Sequence, residues 1–375
     1  MRSTVAVNML WCVPGVGGSQ EYLVRQLLGT TEVDHDIAIE VFAPRGFSAR
    51  VPELAGRLRV VEAPSACRRR VVRVLLEHTW LAWRTRGHQM VHHGGGTMPR
   101  FGNKRALLTL HDVQWTTYPG HVSRVKLAYL RRVVPSSLRR AVRIAVPSSF
   151  VAHTLTDNFG VAVDKVDVVR HGVEPDAGDT ATPEAELRRR WSLGDGPVVV
   201  YPAITHPHKN HLFLLSLMTR AGSAWADPRL RLVLAGSAGR ADAEVRAHVA
   251  AQGLTGRVVL PGRISAADRN GLLAFADAMV FPSTYEGFGA PLIEAMHLGA
   301  PVLASDRASI PEVVGDAGIV VELREELWAG ALESVRARRG ELVAKGHERA
   351  RLFTTRLSGI DVLAAYRAVM GGGAR

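Results

Sequence analysis

Short apolar segments alternate with helical patterns along the chain, and this alternation constrains the fold more than any other feature. The first series of predicted strands comprises Val5–Leu10, Ile37–Phe42, Leu58–Glu62, Met90–His92, Leu107–Leu110, Ile144–Val146 and Val166–Val169. The second comprises Val198–Tyr201, Leu230–Ala235, Val258–Leu260, Ala278–Phe281, Val302–Ala304 and Ile319–Val321. Strands that alternate with helices predict parallel sheets with helices on both faces. Two such series predict two Rossmann-like lobes of the α/β class.

The length of 375 residues fits two or three domains. Helical patterns in the first series cover Ser19–Leu28, Arg70–Arg84, Val122–Ser137 and Ser149–Phe159. The segment 174–196 is polar and rich in Pro, Asp, Ala and Gly, which is typical of a linker. We therefore predict a first lobe over residues 1–175, a linker over 176–196 and a second lobe over 197–356. A further apolar-periodic helix is predicted over Leu357–Met370.

The segment Phe281–Gly318 carries the most specific chemical signal. Glu286 and Glu294 are separated by seven residues, with the run Gly287-Phe288-Gly289-Ala290-Pro291 between them. This pattern predicts a strand, a glycine-rich turn and a helix start, with proline at the first helical position. Backbone N–H groups near residues 288–293 would form an anion site at the positive end of the helix dipole. The two carboxylates beside that site would accept hydrogen bonds from sugar hydroxyls.

This segment resembles the E-x7-E motif of retaining glycosyltransferases with the GT-B fold, in the large family 4 typified by bacterial mannosyl- and glucosyltransferases. The match includes the downstream sequence PEVVGDAG. The resemblance implies two Rossmann-like lobes whose parallel sheets face a central cleft. It also implies that the first lobe, residues 1–175, binds the acceptor and that the second lobe, residues 197–356, binds the nucleotide sugar. Residues 357–375 would form a helix that crosses back to the first lobe. Glu286 would then face the donor sugar and Glu294 would hold the nucleotide ribose, with no metal required.

A cation is predicted after the strand Val198–Tyr201, at the end where open parallel sheets bind ligands. Lys209 lies beside Asn210, a plausible N-cap, and would balance charge on a departing nucleotide diphosphate. The family resemblance implies a basic pair here, but Ile204 stands where its usual Arg would be. His206, His208 and Arg263 are candidates to compensate. The three neighbouring histidines match no metal-ligand spacing, so no metal is predicted.

Other site residues are implied by the resemblance. His111 follows the strand Leu107–Leu110 and would reach the donor sugar near the reacting carbon, with Asp112 as a candidate to orient it. Gly17 and Gly18 allow a phosphate or sugar to approach the backbone, although Gln20 breaks the GxGxxG dinucleotide pattern. The remaining donor contacts would come from Gly236, Arg263, Phe288, Gly289, Ala290 and Leu292.

The net charge of +12 is concentrated in the first lobe. Basic residues cluster at Arg68, Arg69, Arg70, Arg73, Arg124, Lys126, Arg131, Arg132, Arg139, Arg140 and Arg143. These clusters are interpreted either as ordinary solvated surface or as contacts to an anionic membrane or acidic acceptor. No nucleic-acid motif accompanies them, so nucleic acid is not predicted as a partner.

The chain is predicted to be cytoplasmic, and peripheral at the inner face of the cell membrane if the basic clusters bind lipid. No apolar run approaches the roughly 18 residues that span a bilayer. The segment Val5–Leu10 fits a first strand better than a signal peptide, because it lacks a basic region and an A-x-A site. Cys12 and Cys67 form no disulfide framework or zinc motif, as expected in a reducing compartment.

Three rival functions remain open from sequence. A serine hydrolase could use His93-Gly94-Gly95-Gly96 as an oxyanion loop and Ser237 in Ala235-Gly236-Ser237-Ala238-Gly239 as nucleophile. A GT-B epimerase or phosphorylase would share the fold. An inactive sugar-nucleotide-binding partner would explain Ile204. The DxD metal motif has one literal match, Asp34-His35-Asp36, which precedes a strand and so faces the wrong end of the sheet.

We therefore predict a retaining glycosyltransferase that moves a sugar from a nucleotide-diphosphate donor to a hydroxyl of a glycan, glycolipid or metabolite. The sequence Pro207-His208-Lys209-Asn210 favours mannose from GDP-mannose, while glucose, N-acetylglucosamine and rhamnose stay open. His111, Lys209 and Glu286 are the predicted catalytic residues.

Overall fold

The computed structural model describes residues 3–15, 17–173 and 181–371. The chain forms two compact units, Met1–Gly172 with Thr354–Arg375, and Val173–Phe353. Each unit has its own parallel sheet and its own hydrophobic core. Among the described residues, no helix has both the length and the apolar character that a bilayer span requires.

The first unit contains a seven-stranded parallel sheet of order β3-β2-β1-β4-β5-β6-β7. Its strands are β1 Ser3–Asn8, β2 Ile37–Ala43, β3 Arg59–Glu62, β4 Met90–His93, β5 Ala106–Thr109, β6 Arg143–Val146 and β7 Val166–Val168. Every residue of β4 and β5 is buried, which explains their continuous apolar sequence. Asn8 pairs with His93, so the carboxyl ends of β1 and β4 lie side by side.

In the described part of the first unit, eight α-helices lie between the strands. They are α1 Gly18–Thr30, α2 Phe47–Arg50, α3 Pro52–Ala55, α4 Arg70–Leu76, α5 Ala82–Arg84, α6 Gln114–Thr117, α7 Arg124–Arg140 and α8 Ser149–Phe159. The predicted helix Arg70–Arg84 is interrupted by a π-helical segment, Glu77–Leu81. Apolar periodicity cannot distinguish this wider turn from an α-helix, so the sequence does not predict it.

The second unit contains a six-stranded parallel sheet of order β10-β9-β8-β11-β12-β13. Its strands are β8 Val198–Tyr201, β9 Arg231–Leu234, β10 Val258–Val259, β11 Ala278–Phe281, β12 Val302–Ser305 and β13 Gly318–Val321. Its helices are α9 Glu184–Arg190, α10 His211–Met218, α11 Asp242–Ala251, α12 Ala266–Phe275, α13 Ala290–His297, α14 Ile310–Val314, α15 Glu325–Ala337 and α16 Arg339–Ala350. The core includes Trp225, whose indole N–H donates to the carbonyl of Trp328 at 3.0 Å.

The segment predicted as a linker, 176–196, is only partly described, because residues 174–180 lie outside the described part of the chain. Its remainder contains α9, in which Leu187 is fully buried. Leu193 is also fully buried, and both side chains belong to the core of the second unit. Residues 181–196 therefore include a helix that packs on the core of the second unit.

The last helix, α17 Thr355–Gly371, packs against α1 within the first unit. Gly359 and Gly29 lie in backbone contact, and a Cβ at either position would overlap the other helix. Asp361 also accepts two hydrogen bonds from the Arg170 guanidinium at 2.8 and 2.9 Å. Close glycine packing and this ion pair fix α17 to the first unit.

All thirteen predicted strands are present among the described residues, with ends displaced by at most two residues. The prediction of two parallel α/β lobes is confirmed. The alternating pattern predicted the strands correctly because strands that are buried on both faces appear in the sequence as short, continuous apolar runs between amphipathic helices.

Candidate functional site

The Glu286–Glu294 segment connects β11 to α13. Gly289 precedes α13 with a φ of 101°, a left-handed conformation that glycine adopts without strain. Pro291 is the second residue of α13 rather than the first, and its missing N–H breaks no bond in this first turn. Glu286 lies in the turn after β11, and Glu294 lies on α13 with its side chain buried.

The N-terminus of α13 offers fewer N–H donors than predicted. Leu292 donates its backbone N–H to the carbonyl of Gly289 at 2.9 Å. The N–H groups of Gly289 and Ala290 have no acceptor within the helix, because they occupy its first positions. The side chains of Phe288 and Leu292 are buried, and Phe288 packs edge-on against Phe353. Gly289 and Ala290 are therefore the candidate anion-binding donors.

Lys209 and Glu286 form an ion pair, although they are 77 residues apart in sequence. Lys209 Nζ lies 2.5 Å from Glu286 Oε1, and the two side chains are 18% and 12% exposed. Lys209 Nζ also lies 5.5 Å from the ring centroid of Phe281. The partly buried pair therefore brings together two of the three residues predicted to be catalytic.

Hydrogen bonds between loops hold this pair in place. The Tyr201 hydroxyl donates to the carbonyl of Lys209 at 2.9 Å and lies 3.0 Å from Ser283 Oγ. Ser305 Oγ donates to the carbonyl of Ser283 at 2.6 Å. Ser309 Oγ donates to the carbonyl of Glu286 at 3.0 Å. The loops that follow β8, β11 and β12 are thus tied at the carboxyl ends of their strands.

Asn210 precedes α10 as predicted, but its side chain makes no capping hydrogen bond. Its φ of 57° and ψ of 41° are left-handed, whereas a side-chain N-cap has an extended backbone. The left-handed turn follows the short 3-10 helix Pro207–Lys209. Asn210 therefore supports the position of Lys209 through its backbone conformation, which asparagine tolerates better than most residues.

Glu294 pairs with Arg269, a residue that is not among the site residues predicted from sequence. Arg269 lies on α12, and its Nη1 is 3.5 Å from Glu294 Oε2. Glu294 is almost fully buried, so this cation offsets part of the cost of burying its charge. No motif marks Arg269, because the pair is formed by two helices that are separated along the chain.

The predicted donor-binding residues Gly236 and Arg263 lie in loops after β9 and β10. A Cβ at Gly236 would overlap the carbonyl of Ala203, so packing alone requires this glycine. The Arg263 side chain is exposed and has no hydrogen bond or ion pair to other described residues. Ile204 is also exposed, and no cation of the described residues replaces the missing Arg in contact with Glu286.

His111 follows β5 in the first unit and is held on two sides. Its Nε2 lies 2.9 Å from the carbonyl of Gly94, which can only accept, so Nε2 carries the proton. Its ring contacts Tyr22 and Trp11, with centroids 5.3 and 5.8 Å away. Burial lowers the pKa of His111, so the ring is neutral near pH 7 and Nδ1 presents a lone pair.

Asp112 does not orient His111, contrary to the prediction. Its Oδ1 accepts the backbone N–H of Gln114 at 3.0 Å and so forms a local turn before α6. Gly17 precedes α1 and Gly18 is its first residue, and a Cβ at either would meet no heavy atom within 4 Å. Neither glycine is needed for packing, which leaves open space beside the N-terminus of α1.

The elements proposed for a serine hydrolase have other roles. A Cβ at Gly94 would overlap Leu23, and one at Gly95 would approach Trp11 within 2.7 Å, so packing requires both glycines. Ser237 follows β9, but the next helix begins at Asp242, so no sharp strand-to-helix elbow presents the hydroxyl. In the DxD match, the His35 ring hydrogen-bonds the carbonyl of Thr30 and the backbone N–H of Ile37.

Part of the basic cluster in the first unit is structural. The Arg140 guanidinium donates to the carbonyls of Pro99 and Met98 at 2.6 and 3.1 Å. Arg143 makes two 2.6 Å hydrogen bonds to Asp167. The guanidinium groups of Arg140 and Arg143 are therefore held by partners within the first unit. The exposed remainder comprises Arg68, Arg69, Arg70, Arg124, Lys126, Arg131, Arg132 and Arg139.

The chain is similar to glycosyltransferases in sequence and in structure. It is 28% identical to O-antigen chain mannosyltransferase B of Escherichia coli over 245 residues, 64% of each chain. It is 30% identical to 2-deoxystreptamine glucosyltransferase of Streptomyces kanamyceticus over 213 residues, 56% of this chain and 54% of that one. The chain thus spans just under two thirds of the first relative and about half of the second.

A glycosyltransferase of Rickettsia africae superposes with a TM-score of 0.71 at 17% identity, covering 98% of this chain and 99% of that one. This likeness shows the GT-B fold. Residues 16–177 match the family Glycosyltransferase Family 4, and residues 196–337 match Glycosyl transferases group 1. These matches cover most of both units, and the chain belongs to glycosyltransferase family 4.

Proposed function

We propose that this protein is a retaining hexosyltransferase that uses a nucleotide-diphosphate sugar as donor. The observation that carries the proposal is the Lys209–Glu286 ion pair in the second unit. Close to it in sequence, Gly289 and Ala290 begin α13 with their N–H groups at the positive end of the helix dipole. A cation, helix-terminal donors and a carboxylate suit a diphosphate attached to a sugar.

We assign donor contacts accordingly. Glu294 holds the ribose hydroxyls, since a buried carboxylate is a strong acceptor for two neighbouring hydroxyls. Lys209, with Gly289 and Ala290, stabilises the diphosphate as negative charge develops on it. Glu286 accepts a hydrogen bond from the donor sugar. No metal is needed for these contacts, because Lys209 supplies the neutralising charge.

The reaction replaces one glycosidic bond with another. The bond from the anomeric carbon to the diphosphate oxygen breaks, and both of its electrons leave with the diphosphate. The acceptor hydroxyl oxygen bonds to the same face of that carbon, and its proton passes to the departing phosphate. His111 orients a sugar hydroxyl through its unprotonated Nδ1. Configuration at the anomeric carbon is retained.

Mannose from GDP-mannose is the preferred donor in this proposal. The Escherichia coli relative is named as a mannosyltransferase, which supports this choice. The Streptomyces relative is named as a glucosyltransferase, so the donor must be tested directly. The acceptor is a hydroxyl of a glycan, glycolipid or metabolite.

We also propose that the protein is cytoplasmic and binds the inner face of the cell membrane. Val71 and Leu75 on α4, and Val125 on α7, are 81%, 61% and 83% exposed. Exposed arginines flank them, and the Arg70 guanidinium lies 3.8 Å from the Tyr129 ring, which joins the two helices. Apolar side chains among cations suit an anionic lipid surface.

Product analysis tests the proposal. The protein would be incubated with GDP-mannose, UDP-glucose, UDP-N-acetylglucosamine and dTDP-rhamnose, and proton NMR would follow the anomeric signal of each sugar. We expect one donor to be consumed and its anomeric configuration to be kept in the product. An inverted product would contradict the retaining mechanism, and no turnover would favour an inactive sugar-nucleotide-binding partner.

A further inference from the structure

Arg269 is a half-buried cation of the second unit that has no role in the donor contacts proposed above. Its side chain is 28% exposed, and the side chain of its partner Glu294 is 7% exposed. Arg269 Nη1 lies 3.5 Å from Glu294 Oε2, whereas a charge-assisted N–H···O bond is about 2.7–2.9 Å long. The two groups therefore attract each other without forming a hydrogen bond.

Contacts in the first turn of α12 fix the direction of Arg269. Ser265 Oγ caps the helix and accepts the backbone N–H of Asp268 at 3.0 Å. Asp268 Oδ1 accepts from Thr182 Oγ1 at 2.8 Å and from Arg190 Nη1 at 2.9 Å. Because Arg190 belongs to α9, these bonds tie α12 to α9 and fix its rotation. Arg269, the next residue, therefore reaches Glu294 on α13 from a fixed helix.

The guanidinium of Arg269 is not satisfied by the protein. Its Nε is buried without a hydrogen-bond partner, and the group makes no hydrogen bond to another described residue. Two other arginines of the second unit differ, since Arg349 Nε donates to the carbonyl of Val313 at 3.0 Å and Arg339 Nη1 donates to that of Ala276 at 2.6 Å. A buried donor without a partner costs about 1–3 kcal/mol. Packing alone therefore does not explain Arg269.

The terminal N–H groups of Arg269 are open to a ligand beside the Glu294 carboxylate. Neither Nη1 nor Nη2 has a hydrogen-bond partner among the described residues, and, unlike Nε, neither is buried. A hydroxyl group carries one proton and two lone pairs, so it can accept from a guanidinium and donate to a carboxylate at the same time. One ligand hydroxyl can therefore bridge Arg269 and Glu294.

We propose that Arg269 determines the specificity of the donor site for the ribose ring. Its guanidinium donates to one ribose hydroxyl, and the proton of that hydroxyl is donated to Glu294. This inference rests on the proposed function, in which Glu294 holds the ribose hydroxyls, and it adds a second residue to that contact. A deoxyribose would leave both charged groups without the bridging hydroxyl, and a site built to hydrogen-bond a hydroxyl rejects analogues that lack it. The donor class is therefore the sugar esters of ribonucleoside diphosphates.

Calorimetric titration of the full chain with GDP, UDP and their 2′-deoxy and 3′-deoxy forms tests the inference. The deoxy penalty is the ratio of the Kd of a deoxy form to that of its parent nucleotide. We expect wild type to show a penalty of at least about tenfold at one of the two positions, which identifies the bridging hydroxyl. A penalty below about threefold at both positions overturns the inference.

Two variants test whether Arg269 causes the penalty. Arg269→Met removes the charge and all donors but keeps an unbranched side chain, and it should lower the penalty to less than about threefold. Arg269→Lys keeps a cation beside Glu294 but lacks the planar fork that can face two oxygens, so it should also lower the penalty while retaining the wild-type melting temperature. Arg246→Met is the matched control, because Arg246 is an ion-paired arginine on α11, 2.8 Å from Asp242, and it should leave the penalty unchanged.

Arg269→Met decides the question if it folds, and Arg269→Lys decides it if the methionine variant does not. An unchanged penalty in the deciding variant overturns the inference. An arginine with a structural role alone would change stability or overall affinity, but not the discrimination between ribose and deoxyribose.

The same titrations separate this inference from the proposed function. Binding of GDP or UDP with an unchanged penalty in the deciding variant would reject the role of Arg269 and leave the donor site standing. Failure of both nucleotides to bind wild type would count against the proposed function and would overturn this inference with it.

Discussion

Replacing Lys209 by methionine should separate transition-state stabilisation from donor binding. Lys209 Nζ lies 2.5 Å from Glu286 Oε1. At an effective dielectric constant of 20, this separation corresponds to about 7 kcal/mol of Coulomb attraction before desolvation is subtracted. Because both side chains are largely buried, desolvation offsets most of it, and we expect a net coupling of about 1–3 kcal/mol.

The coupling predicts distinct effects on stability and on rate. Lys209→Met leaves Glu286 without its cation and should lower the free energy of unfolding by about 1–3 kcal/mol, and adding Glu286→Gln should restore most of it. In turnover, the lost cation should reduce kcat by about 10²–10³, because the diphosphate gains charge only as it departs. Donor affinity should fall by less than about tenfold.

Urea denaturation of the four proteins of this double-mutant cycle measures the coupling, and release of nucleotide diphosphate measures kcat. Arg240→Met, an exposed arginine in the second unit, is the control for loss of a positive charge. Equal losses in kcat and donor affinity would refute the transition-state role. A coupling near zero would refute the ion pair.

Four further predictions follow from the described contacts. Glu294→Ala should weaken nucleotide binding by about 10- to 100-fold in calorimetry, because its carboxylate is assigned to the ribose hydroxyls. A nucleotide with 2′,3′-dideoxyribose lacks these hydroxyls and should bind wild type and variant with equal affinity. Gly359→Ala should lower the free energy of unfolding by about 1–3 kcal/mol through overlap with Gly29, whereas Gly340→Ala, in open space on α16, should be neutral or stabilising. Burial holds the pKa of His92 and His93 at about 3 against 6.5 for the free side chain, so the unfolded chain takes up protons first. These two histidines therefore do not reduce the free energy of unfolding above pH 6.5. As the pH falls below 6.5, the free energy of unfolding should decrease by up to about 1.4 kcal/mol per pH unit per histidine. Melting curves recorded as a function of pH should show a smaller slope for His92→Gln. Replacing Arg124, Arg131 and Arg132 by serine should release the protein from phosphatidylserine vesicles in cosedimentation, because each arginine contributes about 1 kcal/mol of binding free energy. Replacing the exposed Arg246 and Arg338 of the second unit by serine should not release it.

Much of the fold could be predicted from sequence because its signals are local. Parallel strands leave short apolar runs, and Gly289 and Pro291 mark the start of α13. The π-helical segment Glu77–Leu81 and helix α9 were missed. The first has no distinct periodicity, and the second has a polar surface that hides its single buried Leu187.

Individual site residues could be predicted where they lie in one continuous segment or directly after one strand. Lys209 and Glu286 were each predicted, but their contact depends on β8 lying next to β11, which periodicity does not reveal. The pair of Arg269 and Glu294 joins residues from separate elements with no shared motif. Side-chain partners of this kind require the three-dimensional arrangement.

A calorimetric titration tests the central claim most directly. Wild-type protein and Glu294→Ala would each be titrated with GDP-mannose, UDP-glucose, UDP-N-acetylglucosamine and dTDP-rhamnose. We predict that wild type binds one donor selectively, with GDP-mannose preferred, and that the variant loses this binding while its melting temperature stays close to that of wild type. Absence of binding by all four donors, or equal affinity in the variant, would contradict the assignment of the donor site to α13.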